Sequence, residues 1–182
     1  HQMYRYFLAY DYDATLRSQA VWQCFGQTAR QHFPAAAAQI GYAGARFELA
    51  DVTWAMKWLY HWLFPLSQPI PETDVVHAAM TGTCALVAAA AKHEHGAPFM
   101  LTEHGIYLRE RYLAEATSSE NLFLKLFKLR YARRTTELGY ALADLISPCC
   151  DYNQRWEYRN GALREQIRTI YYGADDTQFV PM

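Results

Sequence analysis

The chain has 182 residues, of which 52% are hydrophobic and 19% charged, and its formal net charge is -1. That length and apolar content support a packed core and exclude a disordered chain. The near-neutral charge excludes a nucleic-acid binder held by overall charge and leaves only a local basic patch to consider. The cysteines Cys24, Cys84, Cys149 and Cys150 have neither metal nor redox spacing, so reduced thiols and a cytoplasmic location are expected. No signal peptide is visible, and a chain beginning at His1 reads as trimmed or as starting inside a longer protein. The longest apolar stretch, 52–66, is broken by Lys57, His61 and Pro65. It is shorter than the roughly 20 residues a spanning helix needs, so no transmembrane segment is expected.

In chain order, residues 1–13 alternate aromatic and polar side chains, as an edge strand or an irregular lead-in would. The apolar spacing predicts a helix over 14–32, with Asp13 as cap and Pro34 as its stop. After a small-residue connector a second helix is predicted over 51–64. Trp54, Trp58 and Trp62 share one of its faces. Such a face serves either as an aromatic platform for a sugar, a membrane interface or a partner helix, or as a buried packing surface, and stripes at helical spacing are mostly buried. Pro65, Pro69 and Pro71 make a stiff link onward.

The chain is organised around residues 75–105. Two short apolar runs, 75–80 and 99–101, flank an Ala-rich helix over 83–95 that is stopped by Gly96 and Pro98. Strand, helix and strand of this kind join as parallel neighbours in a right-handed βαβ unit. Both strands then end in polar loops on one edge, Thr81-Gly82 and Thr102-Glu103-His104-Gly105, and open α/β sheets bind ligands at the carboxyl ends of their strands. Helices follow over 106–116 and 117–142, the second with Thr117 and Glu120 as a capping box and a basic face of Lys125, Lys128, Arg130, Arg133 and Arg134. Such a face either attracts anions or is simply solvated, and the second is the commoner case. Strands over 144–147 and 168–172 and a helix over 152–160 complete the pattern. The expected fold class is α/β, a Rossmann-like parallel sheet flanked by helices. Its parts are a helical segment over 1–72, the Rossmann-like unit over 73–173 and the start of a linker over 174–182.

Neither a dinucleotide fingerprint nor a P-loop is present, and no metal or cofactor is expected. His93-Glu94-His95 lacks metal spacing and reads as a solvated helix end, while His77 reads as a hydrogen-bonded core residue. The loop at 102–105 differs, for it gathers a carboxylate, an imidazole and a permissive glycine where a helix opens. Tyr107 and Arg109 lie one turn on. Together they place an acceptor, a donor and a cation beside a helix N-terminus suited to anions.

Several runs carry a resemblance: TEHGIYLRER at 102–111, DVVHAAMTG at 74–82, ADLISP, YNQRW and NGA, and YGADDTQF near the end. They resemble the amino-terminal domain of family 4 glycosyltransferases of the GT-B fold, in particular the soluble branch serving Pel exopolysaccharide synthesis, from about residue 47 onward. The resemblance implies a retaining transferase using a nucleotide diphosphate sugar, UDP-linked, and a carbohydrate acceptor, with a missing C-terminal domain supplying most of the donor site. It implies that His104 faces the donor sugar as the catalytic histidine. Thr81, Gly82, Glu103, Gly105, Tyr107 and Arg109 are the candidate substrate-binding residues. A fragment of such a fold is also expected to self-associate. The competing reading is a non-enzymatic carbohydrate- or protein-binding module that uses the Trp helix.

Overall fold

The computed structural model describes residues 1–173, and the expected linker at 174–182 lies outside them. The protein is α/β and 63% helical, a three-stranded parallel sheet flanked by helices in a Rossmann-like arrangement. The sheet is built from β1 (Val76–Ala78), β2 (Phe99–Glu103) and β3 (Leu145–Pro148) in that spatial order. Between them run α5 (Thr83–His95), then α6 (Tyr107–Thr117) and α7 (Leu122–Leu142), and α8 (Asp151–Arg159) follows β3. Ala78, Leu101 and Ile146 are in register across the three strands and fully buried.

Every connection steps across the sheet in the same direction, so right-handed crossovers place the helices on one face. The core agrees, since Ala85 and Ala88 of α5 and Tyr140 and Ala143 near the end of α7 pack with Phe99, Leu101 and Ile146. Alanines let α5 lie close, and Gly139 of α7 does the same where a β-carbon would stand 3.0 Å from that of Ala85. The opposite face is partly open. His77 is exposed there, and Met100, Thr102 and Leu145 are half-buried. His77 is therefore not a core residue, although its Nε2 does share a hydrogen bond with Thr102 Oγ1 at 2.8 Å. Its position on the odd face of a strand that is covered on one side explains both facts.

The amino-terminal third is built from helices alone, α1 (Gln2–Ala9), α2 (Tyr12–Leu16), α3 (Gln19–Ala38) and α4 (Leu49–Leu63), with a connector at 39–48 and then a short 3₁₀ turn at Phe64–Ser67. Residues 1–13 thus form neither strand nor irregular lead-in. Tyr4 and Phe7, one helical turn apart, bury against Leu63, Leu66 and Ala90. Tyr4 also accepts the Ile70 N–H at 3.0 Å. The cap at this point is Asp11, whose carboxylate accepts the Ala14 N–H, and Ser18 caps α3. Pro34 does not stop α3. A proline inside a helix removes one hydrogen bond, but Phe33 and Ala37 on either side of it pack with Val52, Ala55, Phe123 and Leu124, and that burial carries the helix on.

The end of α5 is not merely solvated. Glu94 pairs with Arg5 at 3.0 Å and with His1 at 2.8 Å, and His95 meets the Ile70 carbonyl at 3.1 Å, so the His-Glu-His run docks α1.

Thr117 and Glu120 do not form a capping box. Thr117 closes α6, its hydroxyl donating back to the Ala114 carbonyl at 3.2 Å, and Asn121 caps α7 by accepting the Leu124 N–H at 3.0 Å. Glu120 instead takes the Lys128 ammonium at 2.6 Å. The expected strand at 168–172 reduces to a parallel bridge between Ile146 and Ile167, extended by Arg168 and Ile170 N–H groups donating to the Ile146 and Pro148 carbonyls.

The Trp face is split. Trp58 and Trp62 stack at 4.8 Å and Trp58 meets Tyr131 of α7 edge-on at 5.0 Å, whereas Trp54 is 57% exposed with Lys57 over its ring.

Candidate functional site

The strands point their carboxyl ends at two loops, as the sequence pattern requires, but β2 is two residues longer than its apolar run. Thr102 and Glu103 belong to it. Side chains alternate along a strand, so Glu103 falls on the same face as Phe99 and Leu101 and points inward. It is fully buried. One of its carboxyl oxygens accepts the Tyr107 N–H at 3.1 Å, and the Glu110 carboxylate lies against Gly105. The opening of α6, expected to suit an anion, is therefore already met by two acidic side chains.

His104 is the side chain that this turn displays. It is exposed, its ring stacks on Tyr172 at 5.5 Å and 26°, and its carbonyl accepts the Cys149 thiol at 3.0 Å. Burial pushes the Cys149 thiol above its ordinary value, which keeps it a neutral donor. All four cysteines are free.

The other loop is interior. Thr81 is buried and shares a hydrogen bond with Thr136 at 3.0 Å. Gly82 opens α5 at φ 81°, a conformation that favours glycine, and a β-carbon there would stand 3.0 Å from the Tyr107 ring. The two loops thus lock together through Gly82 and Tyr107. Of the sequence-predicted residues, Thr81, Gly82, Glu103 and Tyr107 hold the rim from inside, and His104 and Gly105 form its surface.

Beneath the rim lies a group that sequence reasoning missed. Glu157 of α8 is fully buried with both carboxyl oxygens unpartnered, and one oxygen of Glu103 and the Tyr140 hydroxyl also lack partners. Burial pushes Glu103 up to about 7, partly opposed by the Tyr107 N–H. Burial and then the neighbouring Glu103 charge push Glu157 up to about 8. Burial and the two nearby carboxyls raise Tyr140 far above its usual range. At neutral pH the pair thus keeps at least one proton, because two uncompensated charges cannot share so dry a place. A single acidic residue within YNQRWEYRNG gives no sign of this, since a Glu on a short polar helix is ordinarily exposed.

Arg109 does not join His104. It lines a separate groove with Tyr112, Arg133, Trp156 and Arg159. The basic face of α7 is largely spoken for, as Arg133 and Arg134 share Glu137 at 2.8 Å and Lys128 pairs with Glu120. Among the described residues no group of histidine, cysteine and acidic side chains is arranged to hold a metal ion. No helix described is long and apolar enough to cross a membrane.

Fold and rim together define a Rossmann-like α/β unit whose candidate site is a histidine at the carboxyl edge of a parallel sheet. The family described as a domain of unknown function (DUF3492) matches residues 2–165, and the chain belongs to that family. A comparison with curated proteins found no match.

Proposed function

We propose that this chain is the acceptor-side, Rossmann-like part of a retaining glycosyltransferase. It would act on a nucleotide diphosphate sugar, UDP-linked in this reading, and a polysaccharide or related acceptor. The observation that carries the proposal is the run TEHGIYLRER with its histidine displayed at the carboxyl edge of β2. The association of the family with glycosyltransferase-like proteins supports it. In such a reaction the bond between the anomeric carbon and the leaving phosphate breaks while the acceptor oxygen bonds to the same carbon on the same face. The acceptor proton passes to the departing phosphate oxygen. His104 would donate to a sugar hydroxyl and steady the charge that develops during this step, and the locked loops would keep its backbone fixed. The donor nucleotide would be held mainly by a second domain of the parent protein, in the cytoplasm.

The alternative, a non-enzymatic binding module, leans on the Trp helix. It is weakened because Trp58 and Trp62 pack on α7, which leaves Trp54 as the exposed indole.

The test is His104→Ala in the full-length parent, read by transfer of labelled sugar. Losing a hydrogen bond that strengthens in the transition state costs about 100-fold to 1000-fold in turnover. Melting temperature and nucleotide binding should stay unchanged. Near-normal turnover in the folded variant would remove the assignment.

A further inference from the structure

A groove of about 450 Å³ lies between α6, α7 and α8, lined by Arg109 and Tyr112, by Arg133, and by Trp156 and Arg159. That volume is within the range of about 300 to 1,000 Å³ common to small-ligand sites. Three arginines from three helices line it. Arg109 and Arg159 form no ion pair among the described residues, and Arg133 shares the single Glu137 carboxylate with Arg134. Positive charge is thus in excess along the groove.

Like charges gathered in a concave place repel one another and cost stability unless an anion enters. Arginine suits that role, since its fixed fork of donors matches carboxylate or phosphate oxygens two at a time. The Trp156 ring forms part of the groove wall, with the Arg159 guanidinium 5.9 Å from its ring centre.

We propose that this groove is a binding site for an anionic ligand carrying two or more acidic groups, held by Arg109, Arg133 and Arg159 against the Trp156 and Tyr112 rings. Phosphate and carboxylate share the required chemistry. The site is separate from the His104 rim, none of whose residues lines it. It does not depend on glycosyl transfer.

The experiment titrates the chain of residues 1–182 with two probes, inorganic pyrophosphate and trigalacturonate. The readout is the indole ¹H–¹⁵N resonance of Trp156, assigned with Trp156→Phe. Saturable movement of that resonance by either probe, weakening with added salt, is expected, and the tighter probe tells whether phosphate or carboxylate is the natural chemistry. Arg109→Gln and Arg159→Gln should each weaken binding by about tenfold, as loss of a charge-assisted hydrogen bond does. Arg46→Gln, on an exposed connector outside the groove, should leave it unchanged. The proposal is overturned if neither probe moves the resonance at millimolar concentration, or if the Arg46 variant weakens binding as much as the groove variants. Testing the two arginines separately keeps the result readable if one variant folds poorly, and melting curves identify that case.

Discussion

Glu157 and Glu103 sit where ionising both is costly, and this gives the protein a pH dependence of definite sign. Their native values, about 8 and about 7, lie above the ordinary 4.5. Between those limits the folded chain holds protons that the unfolded chain releases. Stability from this source is therefore complete below about pH 4.5 and is lost as pH rises through 7 and 8. Glu157→Gln removes the second charge while keeping the shape. Thermal melts of this variant should vary less between pH 5 and 8.5. At pH 8.5 it should gain on the order of 1 kcal/mol, or about 2 to 4 °C in melting temperature for a chain of this size. An unchanged pH slope would show that the pair is not the titrating unit.

Among the elements, the amino ends of the strands are tied by one small network. Lys92, at the end of α5, donates to Asp144 at 2.7 Å and to the Leu142 carbonyl at 2.8 Å, and Asp144 accepts the Phe99 N–H at 2.8 Å. Asp144 therefore joins the stop of α5, the stop of α7 and the start of β2. The Lys92 ammonium, followed by the Phe99 N–H, holds its carboxyl below the ordinary carboxylate value. Its contribution is present above that ordinary value and is lost as acid protonates the native group. Asp144→Ala leaves two donors without this acceptor and should cost about 1 to 2 kcal/mol, read as a lower urea midpoint at neutral pH. A midpoint equal to that of the parent would mean that water replaces the carboxylate at no cost.

For the whole molecule, the sheet is covered on one face and partly open on the other. The open face carries exposed His77 and half-buried Met100, Thr102 and Leu145, and β1 is an edge strand. Edges and apolar surface of this kind invite pairing with more protein. We infer that a second copy of the chain fills that role. Light scattering should show dimers or larger species whose share grows with concentration. His77→Lys, which places a charge on the open face, should shift the balance toward monomer by about tenfold in dissociation constant. A clean monomer at high concentration would count against the inference.

Local residue patterns suffice for the central unit. Apolar run, Ala-rich helix with a Gly-Pro stop and second apolar run announce a βαβ unit through local periodicity and stop chemistry alone, and α5 lies where that pattern puts it. The placement of His104 at a strand's carboxyl edge follows from the same pattern. Tertiary structure decided everything that depends on what packs opposite. The helix at residues 2–9 exists because Tyr4 and Phe7 find Leu63, Leu66 and Ala90, and α3 runs through Pro34 because Phe33 and Ala37 are buried on either side of it. Glu103 reads locally as a loop acceptor, yet two more strand residues turn it inward to meet Tyr140 and Glu157, which lie 37 and 54 positions further along the chain. Arg109 leaves the histidine for Trp156 and Arg159 for the same reason. Periodicity and caps are properties of neighbours in sequence, whereas burial, a proton retained on a buried carboxyl pair and a cationic groove are properties of residues that only folding brings together.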